Sequence, residues 1–560
     1  MKKILLYTIA VLALAGCISN DIPYPVLVPN ITSLEVDGSE KVDIDYAKRT
    51  VTVYFPETAD LRSVNITSVS FDKEKVTSSV GIVGVHDLSS SNLLVTLHTY
   101  DDYLWRIKAV RDIERYFTVK GQVGSSAIDP ENCRVIVNVS KKTDLENIEV
   151  ISMKLGPKDG VATYSPSLSE IVGSAIDFTQ PYQVEVTAFD LTEVWDIYVS
   201  VVESSVSLGK VNPWTTEAYV KSTGVAGMEN GFQYRKLGAD VWTDVPESDI
   251  TSDGGSFLAH IKNLEPETAY EVLAYCGTDR TNPVSFTTYS APQMPNSSFE
   301  YSSLVAGQNF YKFYDPNCGV EGVTTKFWAS GNGDEESTGL LPGSFAAITV
   351  PDNVEKVDGN WSVRAQSMEV MGIKLAAGNL FTGRFVQTEG TNGGVVNFGR
   401  PWTTRPTAIR LWCKYTTGKL GKYAGTAAGM TLSESDYDRA QIKVALGTWN
   451  PKTYGGDIES PVQINTTKEN TFVDFYNDTK GGTIANGDIV IYHDGYDINR
   501  GGKKPEDTGV WKEYTIPIVY NDMDVIPTHI IISCSASQYG DYFVGSTSSR
   551  LWLDDFELIY

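Results

Sequence analysis

Leu551-Trp-Leu-Asp-Asp-Phe-Glu-Leu-Ile-Tyr560 ends the chain, and its reading decides the fold. The stretch is short, rich in β-formers and free of Gly and Pro, which predicts a closing β-strand. A strand at a C-terminus must be tied into a sheet, or it frays. Neighbouring side chains on a strand point to opposite faces. One of Asp554 and Asp555 is therefore expected to face inward or to sit at a sheet margin.

Upstream lie further runs of the same kind: Ala346–Val350, Ser362–Ala365, Ile409–Cys413, Ile442–Leu446, Asp488–Tyr492, Trp511–Tyr520 and His529–Ser533. No long window shows helical periodicity. Residues 291–560 therefore read as one large jelly-roll sandwich of galactose-binding-like type, opened by the boundary Pro292-Gln-Met-Pro295. The Gly-rich connections 389–400 and 494–509 are expected to be loops, where a binding surface is normally built.

Residues 31–205 contain a repeat. Val51–Phe55, Asp60-Leu61 and Val64–Val69 match Val135–Val139, Asp144-Leu145 and Ile148–Met153 at an offset of 84 residues. Each unit ends on a Trp-centred strand, Leu104-Trp-Arg-Ile107 and Val194-Trp-Asp-Ile197. The pattern predicts two immunoglobulin-like sandwiches, 31–114 and 115–205, with Trp105 and Trp195 as core residues. Residues 206–290 resemble a fibronectin type III domain through Leu264, Pro266, Thr268 and Tyr270, with Tyr270 expected as a tyrosine corner. The whole chain is thus read as all-β: tandem sandwiches followed by a jelly roll.

The start of the chain reads as an address. Lys2 and Lys3 precede an apolar run, Ile4–Ala13, too short to span a bilayer. Leu14-Ala15-Gly16-Cys17 looks like a lipobox, which would make residues 1–17 a lipoprotein signal peptide and Cys17 the lipidated first residue. Residues 18–30, with Pro23, Pro25 and Pro29, are expected to form an extended tether. These features point to an outer-membrane lipoprotein at the cell surface, with the periplasmic face as the alternative, held to the membrane only by its lipid. The net charge of −24 disfavours nucleic acid as a partner and is compatible with neutral polysaccharide and with calcium. Beyond Cys17 the five cysteines are widely spaced, with no C-x-x-C pair, so neither a disulfide framework nor a zinc site is expected.

Sugar faces stack on aromatic rings, and flanking polar groups bond the hydroxyls. Trp328, Trp402, Tyr539 and Tyr542 lie in or beside Gly/Asn-rich stretches and are the expected platforms, with Arg400 and Arg405 flanking Trp402 to orient hydroxyls or a uronate. Trp361, Trp412, Trp511 and Trp552 are expected in the core. Glu434-Ser-Asp436-Tyr-Asp438 and Asp494-Gly-Tyr-Asp497 space acids as a hydrolase strand does, but read better as a solvated loop and a turn. The chain has no H-E-x-x-H, G-x-S-x-G, P-loop or Rossmann fingerprint, and no catalytic residue is assigned.

Several motifs recur together in one family. They are Pro295–Glu300, Phe327-Trp-Ala-Ser-Gly-Asn332, Ala377–Gly383, Asn397-Phe-Gly-Arg-Pro-Trp402, Arg405-Pro-Thr407, Pro527–Ser533, Gly545-Ser546 and Leu551–Phe556. In this order they resemble the putative carbohydrate metabolism domain of Bacteroidetes surface proteins. The resemblance implies a glycan-related role without establishing a reaction. The beginning and end of the unit also resemble carbohydrate-binding sandwich modules, whose first and last strands are joined by a structural calcium. Glu300 with Asp554 and Asp555 would supply its carboxylates, and backbone carbonyls would complete the shell. The expected function is a surface-anchored, glycan-binding lipoprotein working beside other glycan-utilisation surface proteins. A glycoside hydrolase or lyase, and a structural or adhesin-like protein, are the alternatives.

Overall fold

The computed structural model describes residues 28–99, 101–158, 160–308, 310–339, 347–370, 372, 374–390, 392–427, 430–492 and 509–560. Cys17, the leader, most of the tether, His493 and Asp494–Asp497 lie outside them. Among the described residues the fold is almost entirely β, and no helix is long and apolar enough to cross a membrane.

Three small sandwiches come first. In the first, Thr50–Pro56 pairs in parallel with Asp102–Asp112; in the second, Arg134–Ser140 pairs in parallel with Leu191–Val202. The sequence repeat is thus a repeat of strand pairing. Trp105 and Trp195 sit at equivalent places in these pairs and are fully buried. The third sandwich packs the sheet holding Ser207–Pro213 and Ala218–Thr223 against the one holding Asn230–Lys236 and Ala269–Cys276. Tyr270 closes its corner, its hydroxyl accepting the Glu265 N–H at 2.9 Å.

The C-terminal domain packs a five-stranded sheet on a nine-stranded one. The closing strand, Arg550–Ile559, is the central strand of the smaller sheet, between Ser362–Gln366 and Ala408–Thr416. Its alternation carries a phase slip: Leu551 and Leu553 are buried, then Phe556 and Leu558. The register explains the slip. Arg410 pairs with Glu557 and Trp412 with Asp554, so Leu411 alone faces Asp555 and Phe556. This is a β-bulge, and Asp555 takes the left-handed conformation it needs, with φ +46°. An aspartate tolerates that region better than most residues.

The core between the sheets runs from Val363, Leu411 and Leu553 on one side to Leu380, Ile442, Val444 and Ile532 on the other. Each such side chain contributes about 1.5–3 kcal/mol by leaving water. The outer face of the nine-stranded sheet is only partly covered. Trp449 and Tyr454, from the segment after strand Arg439–Gly447, pack on Ala445, Val462 and Ile531 at one end. The other end stays open. The connection expected as a loop at 389–400 belongs largely to this sheet, because Asn379–Thr388 turns there into strand Gly394–Phe398.

The third sandwich is bolted to this domain. Arg405 lies over the Trp214 ring at 4.5 Å and donates to Pro213 O at 2.5 Å and Met523 O at 2.7 Å. Asn212 Nδ2 donates to Met523 O, and Lys210 and Lys221 both pair with Asp524.

Candidate functional site

The expected platforms fall in two groups. Trp328 is 2 % exposed, its Nε1 donates to Pro295 O at 2.8 Å, and its ring meets Phe299 and Phe556 edge-on. Trp402 is 8 % exposed against Phe327. Both are core residues, so neither can stack on a sugar. The tryptophans expected in the core reverse as well. Trp361, Trp412, Trp511 and Trp552 are only half-buried. Trp412 stands between buried Leu411 and Cys413, so the pleat turns it to the outer face of the smaller sheet.

The arginines are also consumed. Arg405 is 3 % exposed at the domain junction. Arg400 walls a cleft of about 690 Å³ with Lys312, Glu335 and Glu459. Its guanidinium donates to Gly383 O at 2.5 Å, Phe327 O at 3.3 Å and Ser460 Oγ at 3.3 Å, and pairs with Glu459 at 3.4 Å. The other cations of this cleft are paired too: Lys312 with Glu335, Lys326 with Glu336. Nothing there is left over for a ligand.

A different hollow has the chemistry the sequence led us to seek elsewhere. On the open end of the nine-stranded sheet lies a cavity of about 410 Å³. Its floor is the outward row of four strands. Phe381 and Phe385 come from Asn379–Thr388, and Val396 and Phe398 from Gly394–Phe398. Gln441 and Lys443 come from Arg439–Gly447, and Ser533 and Ser535 from the neighbouring His529–Ser535. Register places Lys443 opposite Ser533 and Gln441 opposite Ser535. One end of the floor is therefore aromatic and the other polar. The hairpin Met368–Val370 with Lys374–Ala376 forms one wall. The turn Gly540–Tyr542, with Gln538 and Phe543, forms another.

Tyr539 and Tyr542, the remaining expected platforms, flank this second wall without lining the cavity. Tyr542 packs edge-on against Phe472, and Tyr539 lies under Arg439. Gly540 and Asp541 between them line it instead. Asp541 opens to the cavity yet is crowded by protein. Desolvation pushes its carboxyl up from the ordinary range, and Lys443 opposes that push. Gln538 Oε1 is buried without a hydrogen-bond partner. The other carboxylate on the lining, Glu369, is engaged by Lys422 and by the Tyr423 hydroxyl.

The wall is fixed from behind by a residue expected to be solvated. Asp438 is 4 % exposed. Its Oδ2 accepts from Ser537 Oγ at 2.6 Å, Ser549 Oγ at 2.6 Å and Ser546 N at 2.8 Å, which ties down both ends of the 537–549 turn. Burial raises its carboxyl to about 6, against the pull of these donors.

Glu300, Asp554 and Asp555 do gather at one place, though no strand opens the domain. Residues 296–300 are irregular, and Ser297 O accepts the Phe556 N–H at the bulge. Glu300 accepts from Asn360 N at 2.8 Å and Trp361 N at 3.0 Å. Asp554, fully buried, accepts from Val357 N at 2.9 Å and Asp555 N at 3.0 Å. Both carboxylates thus truss the loop that covers the strand. Burial and the neighbouring Asp555 raise Asp554 to about 6. Asp555 is raised by burial and by Asp358 and Glu300. Among the described residues no group of three or more His, Cys, Asp and Glu side chains is arranged to hold a metal ion. Among the described residues no disulfide is formed; Cys276, Cys413 and Cys534 are buried, whereas Cys133 and Cys318 are partly exposed.

The cavity residues were missed because they come from separate strands, with Phe381 and Ser535 154 residues apart (535 − 381), and form no local motif. The available signal was the alternation Gln441-Ile-Lys443-Val, which sets two polar side chains on the face opposite a buried pair.

No curated protein matches the chain. Among solved structures, a putative glycoside hydrolase from Bacteroides thetaiotaomicron is 16 % identical, covering 80 % of this chain and 95 % of its own, at a TM-score of 0.28. A putative glycoside hydrolase from Bacteroides vulgatus is 18 % identical, covering 48 % of this chain and 99 % of its own, at a TM-score of 0.31. Residues 298–559 match the model of the family described as putative carbohydrate metabolism domain.

Proposed function

We propose that the C-terminal domain binds a glycan in the cavity on the outer face of its nine-stranded sheet. The observation that carries this reading is the make-up of that cavity. An aromatic floor, in which Phe385 and Phe398 are partly exposed over buried Phe381, adjoins a polar end of Gln441, Lys443 and Ser533. Sugars need both: a ring face to stack and hydroxyls that satisfy buried polar atoms. Cys17 anchors the protein to the outer membrane by lipid, at the cell surface, and the small sandwiches hold the site away from it. The third sandwich, locked by Arg405, acts as part of the domain rather than as a loose spacer. Affinity electrophoresis of the full chain on a polysaccharide panel tests the reading. Retardation by at least one polymer, weakened in Phe385→Ala, is expected; uniform mobility on every gel would overturn it.

A second reading, hydrolysis or lysis in the same cavity, draws on Asp541. A carboxyl held toward its neutral form beside a sugar site is what a general acid requires. Release of reducing ends or unsaturated products, lost in Asp541→Asn, would replace binding by catalysis. A structural calcium at Glu300 and Asp555 is a separate proposal. Its support is the like-charge pressure of Asp358 and Glu300 on Asp555, which a cation would relieve.

A further inference from the structure

The cavity holds a cation that the fold does not neutralise. Lys443 lies mid-strand with Ile442 and Val444 buried in the main core, so its side chain rises on the outer face. Asp488 is its cross-strand neighbour on the far side. That carboxylate accepts instead from Gln441 Nε2 at 2.8 Å and from the Tyr476 hydroxyl. Among the described residues the Lys443 side chain makes no hydrogen bond and no ion pair, and its charge acts on Asp541 only through space. The roof adds a second cation without a carboxylate partner: Lys374 lies over the Phe543 ring at 4.2 Å and reaches Asn392 Oδ1 at 3.4 Å.

The acids of the cavity do not offset these charges. Glu369 is spent on Lys422 and Tyr423. Asp541 lies within electrostatic reach of Lys443 but forms no ion pair with it, and desolvation pushes its carboxyl up from the ordinary range. In a chain of net charge −24, two lysines in one cavity without a carboxylate ion pair among the described residues stand out. The cleft around Arg400 shows the contrast, since every cation there has its carboxylate. A half-buried ammonium left without a partner gains most from a charge-assisted bond to an anion.

We infer that Lys443, standing beside Gln441 and opposite Ser533, selects glycans that carry an anionic group on the ring, a uronate carboxylate or a sulfate ester. The inference rests on the binding reading above and deepens it. The aromatic end would hold a sugar face while Lys443 and the serine row hold the anion.

Affinity electrophoresis at 0.15 M salt, where non-specific attraction over distances beyond about 8 Å is screened, separates the cases. The gels carry polygalacturonate, the same polymer after carboxyl reduction, a sulfated galactan and its desulfated counterpart. The full chain, Lys443→Gln and Phe385→Ala are compared, with thermal melts to confirm that each variant is folded. The full chain is expected to bind at least one anionic polymer roughly tenfold or more tightly than its neutral counterpart. Lys443→Gln should lose that preference while still binding the neutral polymer. The uronate and sulfate gels identify which anion is read. Equal binding of anionic and neutral polymers, or a preference that survives in Lys443→Gln, overturns the inference and leaves glycan binding standing. Retardation on none of the gels, or identical retardation of Phe385→Ala, overturns both.

Discussion

Two hollows in the C-terminal domain differ in what their charges already do. Around Arg400 the guanidinium meets two carbonyls, a serine and a glutamate, and both lysines have carboxylates. Around Lys443 the ammonium and the Asp541 carboxyl line open space and form no ion pair with each other. The first arrangement is scaffold: its polar groups satisfy one another, and removing one orphans the rest. The second is a site, because its polar groups are satisfied only when something enters. Richness in charge does not distinguish the two; completeness of pairing does.

The contrast can be broken by mutation, and the largest effect belongs to the scaffold. Arg400→Ala strands the carbonyls of Gly383 and Phe327, and should cost about 3 kcal/mol or more in urea unfolding. A loss below 1 kcal/mol would mean that the first hollow is no more committed than the second.

Asp438 supplies the next effect, through pH. Its carboxyl is raised from the ordinary range to about 6 in the folded chain, so the folded state binds the proton more tightly than the unfolded one. Its contribution to stability is therefore fully present at low pH and is lost as pH rises through the window from about 4 to 6. The full shift amounts to about 3 kcal/mol. Thermal melts across pH 4–7 should show this falling component reduced in Asp438→Asn, where the like component of Asp554 remains. An unchanged profile in the variant would show that the serine cage does not hold the carboxyl in this way.

Chelation probes the clasp at the bulge. If calcium occupies Glu300 and Asp555, exhaustive EDTA should lower the melting temperature by roughly 5 °C and added calcium should restore it. No shift would leave hydrogen bonds to Asn360, Trp361 and Val357 as the whole clasp. The smallest effect is expected at Lys443, where Gln should change stability by less than about 0.5 kcal/mol, since the ammonium has no partner to lose.

Much of the fold was legible because strands announce themselves by alternation. The tandem repeat, the tyrosine corner and the closing strand all rest on period-two patterns that local sequence carries. The bulge at Asp555 was not legible, since one inserted residue shifts the phase without leaving a mark in composition. Its two adjacent acids were the trace of it. The tryptophans were misassigned for a physical reason. Trp328 starts a Gly/Asn-rich stretch yet forms a two-residue strand paired with Asn379–Thr388 and lies in the core between the sheets, whereas Trp412 sits in a strand whose outer face meets solvent. A Gly/Asn-rich sequence does not imply exposure, and a strand guarantees burial of only one face. The cavity needed the sheet itself, because Phe385, Lys443, Ser533 and Gln538 become neighbours only across strand pairing.

The central claim is that the cavity above the nine-stranded sheet, and not the cleft at Arg400, is where glycan binds. The most direct test is retardation on polysaccharide gels of the full chain beside Phe385→Ala and Glu459→Ala, one altered residue in each hollow. The account predicts that Phe385→Ala loses retardation while Glu459→Ala keeps it. Loss in Glu459→Ala with retention in Phe385→Ala would contradict it.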